Sequence, residues 1–114
     1  MKTKLNILIA LTVLILTSSK SKTYVDDYCS IYGVIYFEKN KYKADAMVYI
    51  EEEETLANLL VFEEDNRLFA DEEGLWYITD NPALANYRLF KTSEKQFADF
   101  SVNFMEERAF VGCQ

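Results

Sequence analysis

From Val34 to Cys113 the chain is one thirteen-residue unit written six times. A unit that short cannot bury its apolar side chains alone, so its copies must stack on one another. In register they read VIYFEKNKYKADA from Val34, MVYIEEEETLANL from Met47, LVFEEDNRLFADE from Leu60, LWYITDNPALANY from Leu75, RLFKTSEKQFADF from Arg88 and SVNFMEERAFVGC from Ser101. Glu73 and Gly74 are the single insertion. The eleventh column is Ala44, Ala57, Ala70, Ala85, Ala98 and Val111; the twelfth is Asp45, Asn58, Asp71, Asn86, Asp99 and Gly112.

Each copy opens on β-branched and aromatic residues, as in Val34-Ile35-Tyr36-Phe37 and Leu75-Trp76-Tyr77-Ile78, and these predict strands. Apolar residues fall on both parities. Ile35, Val48, Val61, Trp76, Leu89 and Val102 form one column, and Tyr36, Tyr49, Phe62, Tyr77 and Phe90 the next, which predicts a sheet covered on both faces. Helix caps follow, most clearly Asn81 before Pro82, and Ser93 before Glu94. The space left admits about one helical turn, which closes on Leu56, Phe69, Leu84, Phe97 or Phe110. The Ala column should then pack tightly against a strand, and the Asp or Asn after it accept backbone N–H bonds as the chain re-enters the sheet. A metal or sugar site is the alternative for that column, but its recurrence in every copy favours structural duty.

The predicted fold is mainly β with one-turn helices, a set of β-turn-helix repeats forming a compact, closed, toroidal domain. An open solenoid would need polar terminal copies, whereas the first begins VIYF and the last ends in Ala109-Phe110-Val111. Cys29 precedes the first copy and Cys113 ends the last. In an oxidising compartment they would join the two ends of the array; two unpaired thiols are the competing reading. Closing a loop of 84 residues contributes about 4–5 kcal/mol on the chain-entropy argument.

Lys2 and Lys4, the apolar stretch Leu5 to Leu16, and Thr17-Ser18-Ser19 have the layout of a secretory signal peptide, with an uncleaved anchor as the alternative. The expected organisation is signal peptide 1–19, lead-in 20–33 and repeat domain 34–113, secreted or periplasmic, with no stable membrane insertion after cleavage. Removing residues 1–19 takes two lysines from 12 basic residues against 19 acids, so the formal charge moves from −7 to about −9. Acidic runs at Glu51 to Glu54, Glu63 to Asp65 and Asp71 to Glu73, with scattered basic residues, argue against a nucleic-acid partner.

Histidine is absent, which removes the usual general base and metal ligand. No acid stands isolated in an apolar run, and Gly33, Gly74 and Gly112 are too scattered to cradle a phosphate. The expectation is no enzyme, no catalytic residue and no cofactor. The insertion and its flanks, Asp71, Glu72, Glu73, Gly74 and Trp76, break the repeat and form the candidate interaction surface, although Trp76 also aligns with the strand core. Two functional classes follow: a non-catalytic exported module, binding or structural at the cell envelope, whose partner the sequence does not name and for which a protein is one candidate, or an acidic inhibitor or immunity-like protein steered to a basic partner protein.

In this register the unit strand, polar turn, aromatic, Ala, Asp resembles uncharacterised, mostly bacterial repeat proteins, through Val48-Tyr49, Asp80-Asn81 and Ala44-Asp45. That group is akin to the septknot family, whose resemblance implies a seven-crossing torus knot and carries no assigned activity or site. The sixth copy departs from the pattern at Asn103, Val111 and Gly112.

Overall fold

The computed structural model describes residues 27–114. The expected signal peptide 1–19 and residues 20–26 of the expected lead-in lie outside the described residues.

Each copy folds as a five-residue strand followed by a three-residue 3-10 turn. The strands are β1 Gly33–Phe37, β2 Ala46–Ile50, β3 Leu59–Glu63, β4 Leu75–Thr79, β5 Tyr87–Lys91 and β6 Phe100–Phe104, with a short β7 at Gly112–Cys113. Strands β1 to β6 pair in parallel in the ring order β4-β1-β5-β2-β6-β3, and a β3–β4 pairing closes it. β7 runs antiparallel along the start of β3. Most successive strands therefore land two places apart, and the chain passes twice round the barrel. The turn between two strands packs on the strand it skips: Lys41–Lys43 on β5, Lys95–Phe97 on β2, Arg108–Phe110 on β3.

Position seven of each copy caps the turn. Asn40, Asn66 and Asn81 accept the N–H two residues on, at 2.9–3.0 Å. Glu53, Glu94 and Glu107 hold the same place without a side-chain bond. The cap expected at Ser93 is one residue later, at Glu94, because Thr92 Oγ1 takes the Glu94 N–H and draws the chain round before the turn begins.

Ile35, Val48, Val61, Trp76, Leu89 and Val102 are all fully buried and fill the barrel. The expectation of a sheet covered on both faces is met only halfway: the outer column of Tyr36, Tyr49, Phe62, Tyr77 and Phe90 is half-buried beneath short turns. Among the Ala positions, Ala57 and Ala70 are buried; Ala44, Ala85 and Ala98 are half-buried.

The packed domain starts earlier than Val34. Ile31 is fully buried, its carbonyl accepts the Trp76 Nε1–H at 2.8 Å, and Tyr28 stacks on Phe100 with centroids 5.3 Å apart. Residues 28–33 thus belong to the domain rather than to a separate lead-in. A disulfide joins Cys29 to Cys113, with Cα atoms 5.4 Å apart.

Candidate functional site

In four copies the Asp/Asn column ties the chain to a strand far away in sequence. Asp45 donates its N–H to the Arg88 carbonyl and accepts the Arg88 N–H on Oδ2, at 2.6 and 2.8 Å. Asn58 and Ser101, Asn86 and Val34, and Asp99 and Met47 repeat the reciprocal pair. Ser101 Oγ adds a second bond to Asn58 Oδ1 at 3.1 Å. With these oxygens committed to backbone donors, the column is a set of staples. No group of three or more metal-ligating side chains occurs among the described residues.

Position five supplies a second contact. Glu38, Glu51 and Glu64, nearly buried at the ends of their strands, meet Arg88, Lys95 and Arg108 at 3.5, 2.7 and 2.6 Å. The Lys95 hydrogen bond holds the Glu51 carboxyl below its usual range, and the Glu64 hydrogen bond raises the Arg108 guanidinium.

Of the expected interaction surface, only Asp71, Glu72 and Glu73 are exposed. Trp76 is 0% exposed because it occupies the inward column of β4, edge-on to Phe104 at 6.0 Å. Gly74 is buried with φ +83, and a Cβ there would lie 2.7 Å from the Val111 Cβ. The insertion is a tight turn, Leu75 N–H to Glu72 carbonyl at 3.0 Å, and Glu73 Oε2 accepts the Cys113 N–H at 2.9 Å. It therefore seats β7 in the seam and does for the last copy what the Asp/Asn column does elsewhere.

What faces solvent instead is the set of turns. Tyr42, Leu56, Leu68, Phe69, Leu84, Phe97 and Phe110 are 47–85% exposed and ring the outside of the barrel. They include the position-ten residues on which the turns close, Leu56, Phe69, Leu84, Phe97 and Phe110. Their exposure follows from the 3-10 geometry, in which three residues per turn aim the next residue, the Ala, at the strand instead.

Grooves run between neighbouring turns. One, of about 480 Å³, has Phe104 and Phe110 set among Glu52, Glu54, Glu106 and Glu107. Another, of about 510 Å³, is lined by Lys41, Met47, Phe90, Thr92 and Phe97.

The fold and its surface define a class: a small closed barrel of tandem strand-turn units, with an apolar interior and exposed outer turns. The chain belongs to the septknot family, whose model, described as a 7(1) septoil knot domain, matches residues 28–114. Curated proteins and solved structures gave no match.

Proposed function

We propose that the protein is an exported, non-catalytic repeat module that binds a protein partner at the cell envelope through its belt of turns. The observation that carries this reading is the ring of exposed Tyr, Leu and Phe side chains, since apolar surface grouped on one feature marks interaction sites in soluble proteins. The apolar filling of the barrel supports a non-catalytic role. The Cys29–Cys113 bond suits an oxidising compartment, and the Lys2 to Ser19 layout suits export. The test is capture from an envelope extract by the immobilised protein, with Leu56→Ser/Phe97→Ser as comparison. A partner retained at high salt and lost with the double variant is expected; retention unaffected by the variant overturns the reading.

A second reading, an acidic inhibitor of a basic partner, draws on the net charge of −7 and on the four glutamates around Phe104 and Phe110. Charge-steered association weakens steeply with ionic strength. A partner released by salt in the same capture supports this reading over the first.

A further inference from the structure

The repeat supplies its own control for which surface charges the fold requires. β2 beside β6 and β1 beside β5 are equivalent strand pairs, and each leaves a groove between its turns. In the second copy positions six and eight are Glu52 and Glu54; in the first they are Lys39 and Lys41. The same backbone carries either sign, so the fold does not demand the carboxylates. Nor are they used internally: the ion pairs among the described residues engage Glu38, Glu51 and Glu64. Glu52, Glu54, Glu106 and Glu107 instead crowd like charges round two phenylalanines. That repulsion is relieved by a cationic group that also covers the apolar floor. The groove's volume, about 480 Å³, lies within the roughly 300–1,000 Å³ of binding clefts.

A group of that chemistry is present on the chain itself. Lys39, Lys41 and Lys43 flank Tyr42, the most exposed large apolar residue of the belt at 85%. Lys41 Nζ lies 5.4 Å from the Tyr42 ring centroid, so charge and ring are presented together.

We propose that the Lys39–Lys43 turn of one molecule docks into the Glu52/Glu54/Glu106/Glu107 groove of a second copy, with Tyr42 against Phe110. Turn and groove are different surfaces, so the contact is head-to-tail. Each association leaves one free turn and one free groove, and it extends into short chains of molecules rather than stopping at a symmetric pair. This goes beyond the envelope-binding reading and does not rest on it.

Sedimentation velocity on the oxidised full chain tests the proposal. The wild type should self-associate in a concentration-dependent way, and raising salt from about 0.02 M to about 0.5 M should weaken this roughly tenfold or more. Lys39→Glu/Lys41→Glu and Glu52→Lys/Glu54→Lys should each be monomeric where the wild type associates. Mixed together they should associate again, because the unaltered basic turn of the groove variant meets the unaltered acidic groove of the turn variant. Tyr42→Ser should weaken assembly without altering net charge. Trp76 emission and the intact disulfide establish that each variant is folded. A wild type that stays monomeric at low salt, variants that associate as it does, or a mixture that remains monomeric each overturns the proposal. Partner capture from the envelope extract is a separate measurement and stands or falls without it.

Discussion

Asp45 and Arg88 exchange two hydrogen bonds although 43 residues separate them, the N–H of each reaching an oxygen of the other. The exchange continues the β-ladder past the end of strand pairing, with the aspartate side chain standing in for the next backbone carbonyl.

Replacing Asp45 with Ala leaves the Arg88 N–H without its acceptor and should cost about 1 kcal/mol. Asp45→Asn should be nearly neutral, since Asn58 and Asn86 show that an amide oxygen serves. Asn58→Ala should cost more, about 1–3 kcal/mol, because both the N–H and the hydroxyl of Ser101 depend on it. Urea denaturation midpoints check the order.

Trp76 is the only tryptophan, is fully buried, and donates to the Ile31 carbonyl. Its emission should be blue-shifted in the native protein and move red on unfolding. Trp76→Ala should cost about 3–5 kcal/mol through the cavity it leaves. An unchanged thermal midpoint would show that the indole is not part of the core.

Glu51 has its folded pKa lowered by Lys95, so its contribution is present above the unfolded carboxylate value and is lost as pH falls through the folded one. Wild type should therefore exceed Glu51→Gln in stability near neutral pH. The two should converge as pH drops below the ordinary carboxylate range, and the difference should shrink with salt because Lys95 is half-exposed. Midpoints measured across that range decide it.

Gly74→Ala should destabilise by about 1–3 kcal/mol, as the backbone is left-handed and the new methyl meets Val111 and the Leu60 carbonyl. A midpoint equal to that of the wild type would show that the seam yields freely.

Deleting Ser101 to Cys113 removes β6, which pairs with both β2 and β3, as well as β7. With the wild type held under reducing conditions for comparison, the truncated chain should lose cooperative unfolding. A similar cooperative melt would falsify closure as the source of stability.

The repeat made the elements legible in the sequence because the same strand and the same turn must work in every copy, so chance resemblances average out down a column. Neighbourhood was not legible that way. Nothing local in Asp45 names Arg88 as its partner; the ring order does. Position ten was legible as the end of the turn, but not its exposure, because the apolarity of Leu56 and Phe97 says nothing of which way a 3-10 turn aims them. Trp76 sat beside a loop and inside a core column at once, and the column prevailed. Glu73 stood out only as an insertion: its role, taking the Cys113 N–H, exists because β7 runs along the start of β3.

The two-place step has a consequence for how such a chain is made. β1 has no hydrogen-bonded neighbour until β4 and β5 exist, with Gly33 opposite Trp76 and Ile35 opposite Tyr87. Only β3 and β4 meet their partner within a single copy and its insertion. A nascent chain therefore presents its first three strands with no partner until β4 follows them, and contacts this distant close slowly. On the export route proposed above, that delay would keep the chain in a form that a translocation pore accepts.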